Sequence, residues 1–226
     1  LTSPALVYKF YDPEYEATHD NPDKDPYMAF EKDFMRFMLS DGAGAVLVQD
    51  YPEGACPLKI EWVDMTSYAN ELPTCMFMAS ELQEDGRLKS WKEFSPNEIK
   101  ERAVLVGKQD IRQLKKHIIK YWVDHIETIL AKHHIKAEEI DYIIPHVSSM
   151  FFYEKLNDEI AARNIALTKE KWFTNLTSVG NIGSAAIYVA LEELIRTKEI
   201  KRGQKILLLV PESGRFSYGT VLLTVQ

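Results

Sequence analysis

The stretch from Trp172 to Leu194, WFTNLTSVGNIGSAAIYVALEEL, constrains the fold of this chain more than any other. It begins as a short apolar strand, breaks into a polar turn carrying Gly180, Asn181 and Gly183, and then enters a helix. Glycine adopts backbone angles closed to other residues and lets a second segment or a ligand approach closely. From Ile182 onward, small and apolar residues (Ala185, Ala186, Val189, Ala190) recur at helical spacing, which fixes Asn181 at the mouth of a buried helix. A carboxamide there donates and accepts hydrogen bonds at once. Taken alone, the turn reads first as a tight turn with a capping asparagine.

A second stretch upstream shifts that reading. Ile140–Met150, IDYIIPHVSSM, is an apolar strand followed by Pro145, His146 and two serines placed to cap a helix from Met150. A lone histidine at a strand end is ordinarily structural. Here strand, PH and helix are followed about 35 residues later by strand, GN and helix. Polar groups at equivalent ends of parallel strands converge on one crevice.

With both stretches in view, the sequence resembles the thiolase-like condensing enzymes, and most closely the β-ketoacyl-(acyl carrier protein) synthase III family. The resemblance is carried by SDGAGAVLV at Ser40–Val48, IDYIIPH at Ile140–His146, GNIGSAA at Gly180–Ala186, IKRGQKILLL at Ile200–Leu209 and SGRFSYGTVLL at Ser213–Leu223. Their order and spacing match the C-terminal half of that family. The resemblance implies an α/β, layered α-β-α fold with a mixed sheet, and makes residues 1–226 the C-terminal thiolase-like domain. It implies decarboxylative Claisen condensation of an acyl thioester with malonyl carried on acyl carrier protein. The substrates would be acyl-CoA and acyl-carrier-protein thioesters, with no bound cofactor or metal. By motif, His146 and Asn181 hold the thioester of the second substrate. The turn at Gly214, Arg215 and Phe216 would bind substrate, with one backbone N–H near Arg215 and Phe216 for the thioester on the cysteine and Phe216 as the phenylalanine beside the nucleophile. The nucleophilic cysteine belongs to an N-terminal half outside this chain, and the enzymes of the family act as homodimers.

Several departures bear on that reading. Where many members have PHQAN, a leucine and an arginine, this chain has Val147, Ser148, Ser149, Met150 and Phe151 after PH. The arginine associated with carrier-protein docking is therefore absent at Phe151. The GGGF turn is Ser213, Gly214, Arg215, Phe216. PHxSS, WFTNL and PESGRFS together resemble an outlying branch that includes dialkylresorcinol synthases.

Composition sets wider bounds. With 226 residues, 46% of them hydrophobic, the chain can bury a sizeable core and fits one domain, or one and a half. No apolar run approaches the roughly 18 residues that span a bilayer, and the N-terminus lacks a signal-like pattern. The expectation is a soluble protein. Two cysteines, Cys56 and Cys75, make no disulfide framework, which favours a reducing cytoplasm. A formal charge of -7 argues against a nucleic-acid partner. The start at Leu1 rather than Met reads as part of something longer.

In chain order, residues 8–33 are rich in Asp, Glu, Pro and Tyr and read as a surface excursion. Asp41, Gly42 and Gly44 turn the chain into an expected buried strand, Ala45–Asp50, with Pro57–Ser67 pairing antiparallel to it. Asp85 and Gly86 mark a turn, and Ser95, Pro96 and Glu98 start a helix. The periodicity predicts a long helix over Lys108–His134 with Ile111, Leu114, Ile118, Trp122, Ile126 and Ile129 on its inner face. Its histidines, His117, His125, His133 and His134, include no pair three or four residues apart, so no metal site is expected. His117 and His125 are read as lying on the solvated face, and the helix C-terminal dipole favours cationic His133 and His134. Met150–Asn164 and the segment from Ile182 to Lys198 read as helices, Ile206–Val210 and Phe216–Val225 as a closing strand pair.

Neither cysteine stands at a helix N-terminus, where the dipole would favour a thiolate nucleophile. Two functions therefore remain open: the C-terminal half of a condensing acyltransferase, or a non-catalytic structural partner that keeps the condensing-enzyme fold.

Overall fold

The structure, a computed structural model, describes residues 38–226. The expected excursion over residues 8–33 lies outside them. The described strands are β1 (Leu58–Ser67), β2 (Met76–Phe77), β3 (Ser80–Leu82), β4 (Leu88–Ser90), β5 (Lys108–Gln109), β6 (Tyr142–Pro145), β7 (Lys205–Glu212) and β8 (Ser217–Val225). The helices are α1 (Pro96–Glu101), α2 (Ile111–Lys132), α3 (Met150–Ala162), α4 (Leu176–Val179) and α5 (Ala186–Thr197).

The main sheet has the order β1-β8-β7-β6, with β6 and β7 parallel and the other pairs antiparallel. Alternation along each strand sends side chains to opposite faces. Leu207 and Leu209 of β7, Ile143 of β6 and Leu222 of β8 pack on one face with α2 and α3. Ile206, Leu208, Ile144 and Leu223 pack on the other with Ile187, Leu191 and Leu194 of α5. The result is a layered α-β-α arrangement around a mixed sheet, as the sequence predicts.

β1 changes faces partway along its length. The register slips between Ile60 and Trp62, where Glu61 is the extra residue of a bulge. A one-residue slip exchanges the two faces of a strand. Before the bulge Leu58 packs on the α5 side, and after it Trp62 packs on the α2 side. Val63 and Met65 then point away from α2 and stand 67% and 74% exposed.

Four local expectations are corrected. Residues 45–50 form no strand, and Val46, Leu47 and Val48 are exposed. A strand draws its hydrogen bonds from a neighbour, and among the described residues none lies beside this segment. Accordingly β1, expected to pair with it, pairs with β8 instead. The strand expected at Trp172 is reduced to a single parallel bridge with Ile143, because the chain turns into α4 three residues after Phe173. Ser149 occupies the N-cap of α3, but its side chain makes no capping bond. By contrast, α1 begins with the expected capping box of Ser95 and Glu98, and Gly86 takes a φ of 81° at the β3–β4 turn.

The fourth correction is His125, which is 0% exposed. It lies three residues after Trp122 and seven after Ile118, so it falls on the buried stripe of α2. The hydroxyls of Thr66 and Thr220 satisfy its ring nitrogens at 3.1 and 3.0 Å. Burial pushes this imidazole down to about 4. His133, at the C-cap of α2, stacks on Trp62 at 4.0 Å and meets the Asp64 carboxylate at 2.8 Å. Hydrogen bonds from Lys132 and then His133 hold Asp64 down to about 2.

Because His125 binds its proton only near pH 4 when folded, while an unfolded imidazole binds one near its ordinary 6.5, the unfolded state gains protons first as pH falls. Stability is therefore full above about pH 6.5 and declines by up to about 3 kcal/mol toward pH 4. Urea unfolding at pH 7 and pH 5 should show this decline, and His125→Gln should remove most of it.

Candidate active site

A cavity of about 290 Å³ opens at the C-terminal ends of β6 and β7. Leu114, Ile118 and Trp122 of α2 form an apolar wall, and His146, Asn181 and Glu212 bring polar groups to it. The two sequence stretches singled out for their histidine and asparagine thus meet at one cavity.

β7 places His146. Pro145 pairs with Leu209, and the next residue extends the ladder: the His146 backbone N–H donates to the Leu209 carbonyl at 2.8 Å. The imidazole leaves the sheet at that point, half-buried at the cavity wall. Burial lowers its pKa, so at neutral pH the ring is uncharged and presents one N–H donor.

Asn181 is fixed by its own turn and by a segment crossing over it. Its Oδ1 accepts from the Gly183 N–H at 3.2 Å, and its backbone carbonyl accepts from the Ser40 N–H at 2.8 Å. With Oδ1 engaged, the Nδ2 group is the donor left for a ligand. Close backbone approach makes this possible. A Cβ on Gly180 would lie 2.5 Å from Ser40 Oγ, and one on Gly42 would lie 2.8 Å from two carbons of Ile182 and 2.9 Å from a third. Upstream, buried Asn175 donates from Nδ2 to Glu193 at 2.7 Å and ties the approach of the turn to α5.

The turn after β7 meets the cavity through its first residues. Gly214 and Phe216 are buried, Arg215 is exposed, and none of the three lines the cavity; Pro211, Glu212 and Ser213 do. Phe216 takes a φ of 51° and packs edge-on to His117 at 5.9 Å. The Gly214 and Phe216 carbonyls accept from the Cys75 and Tyr68 N–H groups at 2.9 and 3.1 Å. The Glu212 carboxylate accepts from the backbone N–H groups of both Gly214 and Arg215.

Sequence reasoning missed Glu212 and Gln109. Gln109 is buried, lines the cavity and donates from Nε2 to Ser213 Oγ at 2.8 Å. Its position beside a residue 104 places later depends on β5 folding back onto that turn, which no local pattern signals. Glu212 carried a visible signal, an acidic residue where a strand enters a glycine turn. Among the described residues no group of His, Cys, Asp and Glu could hold a metal ion. No helix among them is long and apolar enough to cross a membrane.

The fold is a layered α-β-α arrangement of the kind seen in thiolase-like condensing enzymes. Residues 130–225 match the family model for the C terminal of 3-oxoacyl-[acyl-carrier-protein (ACP)] synthase III, and the chain is homologous to the β-ketoacyl-ACP synthase III group of those enzymes. It is 30% identical over 112 residues to the β-ketoacyl-[acyl-carrier-protein] synthase III of Clostridium acetobutylicum, covering 50% of this chain and 33% of that protein. With the synthase III of Clostridium perfringens strain ATCC 13124 it shares 29% over 186 residues, 82% of this chain and 52% of that one. The solved synthase III of Thermus thermophilus superposes with a TM-score of 0.54 at 16% identity, covering 77% of this chain and 48% of that chain. At that identity the likeness is one of fold. The chain thus spans between a third and about half the length of these curated relatives.

Gly180 has φ 83° and ψ 177°, a region essentially reserved for glycine. Gly180→Ala should therefore lower stability by about 1–3 kcal/mol from backbone strain, with the Ser40 clash added. Denaturant midpoints should show this loss, and Gly203→Ala, with open space around its Cβ position, should lose less.

Proposed function

We propose that the described residues form the thioester-holding part of a condensing enzyme and take no acyl group themselves, so that on its own the chain behaves as a non-catalytic condensing-enzyme-like partner. The observation that carries this reading is one cavity lined by both His146 and Asn181 and, among the described residues, by no cysteine. Cys75 is fully buried, its Sγ 3.3 Å from the Asp110 carbonyl oxygen, and Cys56 is half-buried in a turn. Neither stands at a helix N-terminus that would stabilise a thiolate.

Joined to a half that supplies a nucleophilic cysteine, the same cavity supports a second and fuller reading: decarboxylative Claisen condensation of an acyl thioester with malonyl-ACP or a related carrier-bound unit. The neutral donor at His146 and the free amide of Asn181 favour it. When the malonyl carboxylate departs as carbon dioxide, its bonding electron pair becomes an enolate, and negative charge collects on the thioester oxygen. Preorganised donors stabilise such charge without rearranging, each by about 2.7–4 kcal/mol. A cationic imidazole is not required, and Leu114, Ile118 and Trp122 of α2 make one wall of the site apolar. Acyl carrier protein, coenzyme A thioesters, an N-terminal half and a homodimeric assembly belong with this reading, as do fatty acid or polyketide-type products, the dialkylresorcinol branch included.

Two measurements test the pair. Incubated with acyl-CoA, this chain alone should show no acyl adduct by intact mass; an adduct on Cys56 or Cys75 would overturn the first reading. In the full-length protein, His146→Ala and Asn181→Ala should each slow carbon dioxide release from the malonyl substrate by about a hundredfold or more. First acyl transfer should fall much less, because it draws on the nucleophile and its own surroundings. Equal losses in both steps, with the fold intact, would count against the assigned roles.

The exposed Val46, Leu47, Val48, Val63 and Met65 form apolar surface of the kind that drives association. Sedimentation of the isolated chain should show self-association that weakens when Val63→Lys and Met65→Lys are introduced together.

A further inference from the structure

The turn after β7 holds its own anion. Glu212, the last residue of β7, spans the turn with both carboxylate oxygens: Oε1 accepts from the Gly214 N–H and Oε2 from the Arg215 N–H at 3.0 Å. Two adjacent backbone N–H groups pointing to one spot make a concave anion site. Hydrogen bonds from such groups to a carboxylate are about twice as strong as neutral ones. The resemblance draws one N–H donor for the oxygen of an acyl thioester from this turn, with the backbone near Arg215 and Phe216 as the candidate, and a donor cannot serve two acceptors well at once.

We infer that Glu212 is a gate on this turn: its carboxylate occupies the donor pair, and it must swing out before a thioester oxygen or a small carboxylate can be held there. This rests on the condensing-enzyme reading only for the identity of the thioester; the anion site itself stands on the hydrogen bonds. Three features fit a gate better than a fixed brace. Glu212 is exposed and lines the mouth of the cavity, so its carboxylate has water to move into. The turn does not depend on it for its path, since the Gly214 and Phe216 carbonyls are held by the Cys75 and Tyr68 N–H groups and Ser213 by Gln109. Gly214 leaves room for the carboxylate, where a Cβ would lie 2.6 Å from Glu212 Oε1.

The displacement forms and breaks no covalent bond. An incoming oxygen takes the two N–H groups, and Glu212 exchanges them for water.

The decisive test is binding, and it needs no turnover. In full-length protein labelled with 15N-glycine and 15N-arginine, formate is titrated as the probe. In Glu212→Ala the amide signals of Gly214 and Arg215 should shift and saturate, while in the unsubstituted protein they should stay in place over the same range. Glu212→Gln, which keeps one acceptor and loses the other, should respond between the two. Absence of saturable shifts in both variants, or equal shifts in all three proteins, would overturn the gate. A second arm reads acyl transfer from acyl-CoA to the full-length protein. Glu212→Ala should speed it by about tenfold or more, and formate should then inhibit the variant and not the parent. A slower variant rescued by formate would show a brace and overturn the gate. If formate binds as expected but no acyl transfer is seen in any form, the condensing reading fails and the anion site remains.

Discussion

The parallel pairing of β6 with β7 is the constraint on which the rest of the site depends. Tyr142 to Pro145 run beside Ile206 to Leu209, and one further hydrogen bond, from His146 to Leu209, carries the ladder to the point where β6 ends. β7 continues three residues beyond that point, to Glu212. One strand therefore sets the height of the histidine on one side and of the glycine turn on the other. Because both faces of β7 are buried, its register cannot slip by one residue without exchanging the two cores. The position of the imidazole is in this sense a consequence of the alternating Leu207 to Leu209 packing.

Asn181 depends on a different kind of contact. No strand carries it; two glycines and a hydrogen bond to Ser40 hold its turn against a segment some 140 residues earlier in the chain. That segment keeps its glycine contacts while Val46, Leu47 and Val48 beyond it stand in solvent. Its two parts are thus held by different physics. Ser40 to Gly44 are fixed by backbone approach to Asn181, Ile182 and Tyr188, whereas Val46 to Val48 carry a strand composition with no described strand beside them. The strand reading of Ala45–Asp50 followed composition correctly and failed for want of a partner.

The same distinction explains what was legible in the sequence. α2, α3, α5, β7 and β8 were readable because each buries a periodic set of its own side chains, and the periodicity survives in one dimension. His146 and Asn181 were readable because each sits where such a set stops. Partners were not readable. The exchange of β1 from its expected neighbour to β8, the bulge at Glu61 and the closure of β5 onto Ser213 are all long-range choices. His125 shows a subtler failure. Its place on the buried stripe is visible from Ile118 and Trp122, but a polar side chain reads as solvated, and the threonines that satisfy it come from β1 and β8. A buried polar group is permitted only when such partners exist, and they are invisible until the sheet is assembled.

Electrostatics distinguishes two donor sites, one in the cavity wall and one on the turn that follows β7. On one side a neutral imidazole and a carboxamide present N–H groups that carry no formal charge and, among the described residues, have no carboxylate bonded to them. On the other, two backbone N–H groups are already paired with Glu212. An oxygen that becomes charged only during a reaction gains most from donors that are fixed and unoccupied beforehand, since no earlier partner has to be removed. The His146 and Asn181 side meets that condition as it stands; the turn side meets it only after its own carboxylate has left. The two donor sites therefore differ in readiness rather than in chemistry, and the difference comes from a single acidic residue at the end of the strand that also sets the position of the histidine.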